Sequence, residues 1–488
     1  MTPLLEQVYA PGDFRRQGHA LVDQLADYLE ACPTLPANPL VAPEDLLSTF
    51  RSLLSNNKTK PEDLYELMLR HSLHLHAPAY MGHQVNPPAP LSALGDLLNG
   101  IINGSTAIYE MGSTGAVMER LVMEAFANML GLSSATGGFM TNGGTLANLT
   151  ALLAARAAKW PEGDAWQAGN GPFRPCVLVN EQAHYCIDRA VRIMGWGEQG
   201  IINVPSDEAY KMKTEELDGL IAEARKKGLT PLAIIGSAGT TSTGSFDDLD
   251  SIAEVAERHK LWFHVDGAHG GAQYLDPDRR DLVRGMDRAD SVIVDFHKTM
   301  MTPGLTTGVF FKNGSDAYRT FHQKAEYLLS FDSGEEDWAN MGRRTFECTK
   351  NMMSLRVFSL LSVYGPEVFR DYLTSVNGIA AHCAVAVRQT PELELAVLPE
   401  TNIVCFRYHP KTTGLSLEEV NGLNQMIRAQ IIQETDFYIV QTKLRGLVWL
   451  RCTFTNPMTS RGHVDKMLQE VKARGEAQVA FRSGMPVF

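Results

Sequence analysis

Residues 14–31, FRRQGHALVDQLADYLEA, place Ala20, Leu21, Leu25, Ala26 and Leu29 at helical spacing, with polar residues filling the other positions. Pro33, Pro36 and Pro39 break that pattern. Helical stretches are predicted again over roughly 43–56 and 61–73. These amphipathic segments need an apolar surface to pack on, and a partner subunit would supply one.

From about 115 to 310 the texture changes to short apolar runs alternating with amphipathic helices. CVLVN (176–180), IINVP (201–205), LAIIGSA (232–238), LWFHVDG (261–267) and SVIVDF (291–296) are predicted strands. Helices are expected within Glu181–Met194, at 214–227 and over Asp247–His259. Strands alternating with helices of this length predict a mostly parallel sheet covered on both faces. Ligands of such sheets sit beyond the carboxyl ends of the strands. Residues 345–385 read as largely helical. Strands near 402–408 and 447–454, with helices at 416–433 and 463–474, suggest a smaller α+β unit. The expected organisation is a helical N-terminal segment (1–95), a large α/β domain (96–385) and a small C-terminal α+β domain (386–488).

A chain of 488 residues is long enough for two or three such domains. Its net charge of −12 argues against a general nucleic-acid binder, because neutralising phosphates requires a surplus of Lys and Arg. The seven cysteines form no CxxC pair, which fits a reducing compartment and neither a disulfide framework nor a zinc site. The opening residues lack the apolar core of a secretory signal, and no run of about 18 apolar residues occurs. The expectation is a soluble, cytoplasmic protein with no membrane partner and no metal.

Four polar constellations fall at or just after predicted strand ends. Asn142-Gly143-Gly144-Thr145 opens an Ala/Leu-rich helix, and the amides and dipole at such a start suit a phosphate, although a Gly-Gly start also serves as a plain tight turn. In HVDGAHGG (264–271), Asp266 follows an apolar strand and precedes small residues that admit a flat ligand. A buried carboxylate needs a cation or a donor, and an N-cap or structural salt bridge would equally satisfy it. His184 follows a strand in NEQAHY, where a single histidine is more often structural. The fourth is VDFHKTMMTPG (294–304), which presents His297 and Lys298 at the end of an apolar strand. Desolvation there would lower the lysine's pKa and free its amine as a nucleophile. One cofactor accounts for all four together. Pyridoxal 5′-phosphate requires a lysine for its aldehyde, an acid for its pyridinium nitrogen, a phosphate cup and a group over its ring.

At this point the chain resembles the group II pyridoxal-phosphate-dependent amino-acid decarboxylases, the family of the glutamate, aromatic amino acid and 2,4-diaminobutyrate enzymes. The matching stretches are HAPAYMGHQ (76–84), AIYEMGSTGAVMER (107–120), TNGGTLANLTAL, NEQAHYCIDRA, GTTSTGSFDDL (239–249), HVDGAHGG, DFHK and WLRCTFTNPMT (449–459). They span nearly the whole chain in order. The resemblance implies a fold-type-I, transferase-like α/β homodimer whose N-terminal segment embraces its partner. It implies that Lys298 holds the cofactor aldehyde, that His297, Gly144 and Thr145 hold its phosphate, and that Asp266 pairs with its ring nitrogen. Ala268 then packs beneath the ring and His184 stacks above it, with Thr241 beside the ring and the departing carboxylate.

"EYLL" matches a family loop whose tyrosine, here Tyr327, returns a proton to Cα; a surface tyrosine is the alternative. Arg451 matches an arginine that pairs with substrate carboxylate, a role a structural salt bridge could replace. His83 and Gln84 match residues lining the side-chain pocket, and their polarity favours a polar or charged substrate such as glutamate, aspartate or 2,4-diaminobutyrate. Two departures stand out. Asp295-Phe296 replaces the frequent Asn-Pro before His-Lys, which puts Asp295 in doubt as a phosphate neighbour, and Leu146 replaces an acidic or polar residue. The expected activity is decarboxylation of an L-amino acid to the amine and CO₂. Another fold-type-I lyase or an aminotransferase shares the Asp and Lys, and a non-enzymatic homologue is disfavoured because Lys298, Asp266 and His184 are all present.

Overall fold

The structure, a computed structural model, describes residues 1–55, 59–160, 165–321, 338–410 and 414–482. Two compact units divide the chain. One comprises Met1–His83, Val385–Glu394 and Phe406–Phe488, and the other Gln84–Ala384 and Leu395–Cys405. The first and last stretches of the chain thus belong to a single unit.

The larger unit is built on a seven-stranded sheet: β1 (Gly137–Thr141), β2 (Pro175–Asn180), β3 (Ile201–Val204), β4 (Thr230–Ser237), β5 (Trp262–Asp266), β6 (Ser291–Asp295) and β7 (Thr307–Phe311). Their order is β1-β7-β6-β5-β4-β2-β3. The run β3-β2-β4-β5-β6 is parallel, and β7 lies antiparallel to both β6 and β1. Successive side chains of a strand point to opposite faces, so a sheet covered on both sides needs apolar residues at every position. The sequence obeys this. Leu178, Ile234, Phe263, Val265, Val292 and Val294 enter one core, with Val122 and Phe126 of helix Ser113–Met129 and with Leu249 and Ile252 of helix Leu249–His259. Val177, Val179, Ala233, Ile235, Trp262 and Ile293 enter the other, against Ala147, Ala151, Ala154 and Ala155 of helix Gly144–Lys159. That alanine face lets the helix lie close to the sheet.

The predicted strands and helices of this region are present, with two differences. The helix expected within Glu181–Met194 runs over Cys186–Ile193, the Asn180 side chain first accepting from Gln182 N at 2.9 Å to close a turn. Residues 345–353 are not helical, and the helices are Ser354–Tyr364 and Glu367–Gln389. Strands β1 and β7 were not expected.

A four-stranded sheet completes the fold, in the order β10 (Val440–Leu444), β11 (Leu447–Thr453), β9 (Ile403–Tyr408), β8 (Leu393–Leu395). In the smaller unit, helices Leu417–Glu434 and Arg461–Arg482 pack on each other, the first starting with a Ser416/Glu419 capping box. Its N-terminal helices Pro3–Val8, Pro11–Ala31, Pro43–Ser55 and Pro61–His71 contain no buried residue among those described. Among the described residues, no helix is long and apolar enough to cross a membrane.

Candidate active site

The carboxyl ends of β1, β2, β4, β5 and β6 open on one pocket of about 280 Å³. Gly144, Thr145, His184, Thr241, Asp266, Ala268, His297 and Lys298 all line it. The structure therefore brings together every residue assigned to the cofactor from the sequence. All belong to the larger unit.

Each wall has a local cause. After β1, Gly143 takes φ +95°, a conformation that side chains rarely adopt, and this turns the chain straight into the helix at Gly144. The first residues of that helix line the pocket, and the first amides of a helix lack intrahelical partners and suit an anion. A side chain at Gly144 would put its first carbon 3.2 Å from both carboxylate oxygens of Asp295 and 3.6 Å from Ala268 Cβ. A glycine here leaves this cradle open, and any side chain would crowd it. After β2, His184 Nδ1 accepts from Cys186 N at 3.2 Å, and its ring lies 4.2 Å from that of Tyr185. Burial pushes the His184 imidazole below its ordinary value, against the opposing pull of Asp266. At the end of β5, Asp266 is 9% exposed; it accepts from Asn148 Nδ2 and from Ala268 N, both at 3.2 Å.

β6 delivers Asp295, and the short helix Phe296–Thr299 then carries His297 and Lys298. Lys298 Nζ lies 2.9 Å from Asp295 Oδ2, while Thr307 Oγ1 donates to Asp295 Oδ1. His297 Nδ1 accepts from Thr306 N at 3.2 Å, and its Nε2 lies 3.8 Å from Asp295. These contacts correct the expectation that desolvation lowers the lysine's pKa. Burial does push that way, but the Asp295 carboxylate outweighs it and holds the Lys298 ammonium above its ordinary value. Burial likewise works to raise Asp295, and Lys298 with His297 and Thr307 overcomes it, so this carboxyl sits below the ordinary range.

A lysine, a buried carboxylate across from it and a glycine-lined helix start fit pyridoxal 5′-phosphate. Lys298 suits the aldehyde, Asp266 the ring nitrogen, and Gly144, Thr145 and His297 the phosphate. Asp295, close to that cradle, is already paired with Lys298 and Thr307.

The residues assigned to substrate lie in different places. Arg451, on β11, and His83 belong to the smaller unit, and Gln84 to the larger one. His83 Nε2 is 3.3 Å from Tyr438 Oη, and Tyr438 stacks on Tyr80 with centroids 5.7 Å apart. Burial lowers the pKa of His83, with Arg451 and Arg428 adding to the effect. The buried Nε2 of Gln84 has no hydrogen-bond partner among the described residues. Tyr327 lies outside the described residues.

Sequence reasoning missed Asn148, which donates to Asp266, and Cys186 and His264, which contact Asn148. A signal was present for two of them. Asn148 is four residues after Gly144, hence on the same helical face, and His264 is two before Asp266, hence on the same face of β5.

Residues 61–409 match the pyridoxal-dependent decarboxylase conserved domain. An aromatic-L-amino-acid decarboxylase of Bacillus atrophaeus is 25% identical over 468 residues, covering 95% of this chain and 96% of that protein. An L-2,4-diaminobutyrate decarboxylase of Acinetobacter baumannii is 27% identical over 425 residues, 85% of this chain and 83% of the relative. The crystal structure of Oryza sativa TDC with PLP and tryptamine superposes with a TM-score of 0.88 at 22% identity, over 96% of this chain and 99% of that one. This last likeness is one of fold.

Proposed function

This chain belongs to the pyridoxal-dependent decarboxylases, carboxy-lyases that use pyridoxal 5′-phosphate to remove CO₂ from an amino acid, and on that premise we propose that its substrate is an L-amino acid with a polar or charged side chain. The observation that carries the substrate class is the amide nitrogen of Gln84, unpartnered among the described residues and beside His83 in sequence. A buried donor without a partner costs stability unless a ligand accepts from it. The relative named for 2,4-diaminobutyrate agrees with this reading, and the one named for aromatic amino acids is its competitor.

When bound, the cofactor supplies an electron sink for the bonding pair left at Cα as CO₂ departs. In the proposed assignment Lys298 would hold the cofactor aldehyde, with Asp295 keeping a proton at hand on Nζ. Gly144, Thr145 and His297 hold the phosphate. Asp266 keeps the ring nitrogen protonated, which preserves the sink. His184, Ala268 and Thr241, which line the same pocket, would flank its ring. Arg451, His83 and Gln84 bind substrate, and Tyr327 delivers the proton to Cα. A screen of the common L-amino acids, scoring amine and CO₂ together, tests the substrate class. Aspartate, glutamate or 2,4-diaminobutyrate should exceed any aromatic amino acid by at least about tenfold in kcat/KM, the worth of roughly one well-placed polar contact. An aromatic preference, or dependence on a keto-acid acceptor, would sink the reading.

The proposal extends to a homodimer in a reducing, cytoplasmic setting, which the seven free thiols suit. Leu4, Val8, Phe14, Val22 and Leu25 on the N-terminal helices are exposed, and a second copy would cover them. Sedimentation should give a dimer, and removal of residues 1–40 should yield inactive or insoluble protein. A soluble, active, monomeric truncation refutes the dimer.

A further inference from the structure

Behind Asp266 a line of hydrogen bonds leaves the pocket for the interior of the sheet. Asn148 donates to Asp266 Oδ2 from Nδ2, and Asn148 Oδ1 meets His264 Nε2 at 2.7 Å. His264 Nδ1 meets Ser291 Oγ at 2.8 Å, and Ser291 Oγ accepts from Trp262 Nε1 at 2.8 Å. Asn148, His264, Ser291 and Trp262 are at most 2% exposed, so water does not compete for these bonds.

The two ends of the line fix its direction. An ionised carboxylate only accepts and an indole N–H only donates. Asn148 must therefore turn its amide nitrogen toward Asp266, with Cys186 Sγ at 3.3 Å from the same nitrogen, and its oxygen toward His264. That orientation requires the His264 proton on Nε2 and leaves Nδ1 to accept the Ser291 hydroxyl, whose oxygen Trp262 holds. The opposite tautomer would place Nδ1–H on the Ser291 carbonyl, 3.2 Å away, and set two acceptors face to face at Nε2. Burial pushes His264 down to about 4, so the ring carries a single proton at neutral pH and the choice between tautomers is real.

We propose that Asn148 is a positioning residue: held by His264, it points its amide nitrogen at Asp266 and keeps that carboxylate aimed into the pocket. The inference rests on the reading of Asp266 as partner of the cofactor's ring nitrogen. An N–H donor stabilises a charged carboxylate, so the proton shared with the ring stays on the ring. Without Asn148 that proton moves toward Asp266.

The test is the ¹⁵N NMR signal of holoenzyme carrying cofactor labelled at the ring nitrogen, which reports protonation without turnover. The wild-type signal should be that of a protonated ring. Asn148→Ala should move it toward the unprotonated position and weaken cofactor binding about tenfold, the loss of one hydrogen bond to a charged group. His264→Gln, whose amide nitrogen replaces Nε2–H, should retain the wild-type signal. His264→Asn, which reaches only as far as Nδ1, should shift it as Asn148→Ala does. An unmoved signal in Asn148→Ala overturns the proposal; should that variant fail to fold, an unmoved signal in His264→Asn does so instead. Asp266→Asn separates the two layers of the argument. A ring that stays protonated in that variant removes the reading of Asp266, and the inference with it.

Discussion

Lys298→Ala is expected to lose the visible absorption of bound cofactor and to lower amine formation about 10³-fold or more, a conservative share of the advantage of an amine held in place. Lys298 is the one lysine lining the pocket among the described residues, and it reaches the pocket because β6 ends one residue before a four-residue helix that carries it. Its neighbour Asp295 anchors the amine at 2.9 Å, which fixes the nitrogen's position as well as its charge. Borohydride reduction of the holoenzyme followed by peptide mapping checks the assignment. A label on any other lysine would remove Lys298 from the mechanism.

The largest effect on stability is expected away from the pocket, at Lys350. Its Nζ donates to Glu119 Oε1 and to the Met140 carbonyl, both at 2.6 Å, and both ionic side chains are at most 1% exposed. Burial pushes the lysine's pKa down despite the pull of Glu119. Met140 N also donates to Glu119, so the pair fastens β1 to helix Ser113–Met129. Lys350→Met strands a buried carboxylate and should cost about 3–5 kcal/mol in chemical denaturation. Adding Glu119→Gln should recover much of that loss, because the isolated charge is then gone. A double variant no more stable than Lys350→Met would mean that packing, and not charge, is what Lys350 supplies.

The parts of the fold that could be read from residues were those where one physical rule acts alone. β2, β4, β5 and β6 are buried on both faces and so appear as continuous apolar runs. β1 and β7 open with Gly137-Gly138 and Thr307-Gly308, where close backbone approach matters more than hydrophobicity; a side chain at Gly138 would lie 2.3 Å from the Val309 carbonyl. In the pocket, Lys298, Asp266, His184 and Gly144 stood out because charged, aromatic or flexible residues are unusual directly after core strands. The spacing of Asn148 from Gly144 and of His264 from Asp266 puts each on the face of a pocket residue, but the pairings of Asn148 with His264 and with Asp266, across 116 and 118 positions of chain, are carried by no local pattern. The charge on Lys298 was misjudged for a related reason: burial was visible, but the geometry of Asp295 three residues earlier was not.

The division of the chain into units has a consequence for how the protein is made. The smaller unit needs Met1–His83 and also Phe406–Phe488, so a nascent chain holds its opening helices without their companions until 323 further residues, from 83 to 406, have been added. At the usual pace of about 5–20 residues per second, that interval is roughly a quarter of a minute to a minute. The larger unit has most of its residues by 384 and waits only for 395–405. Translation thus runs in the order of the larger unit first, with an early-made apolar segment in need of shelter. A ribosome stalled once residue 405 has emerged should display a protease-resistant core and a protease-sensitive beginning.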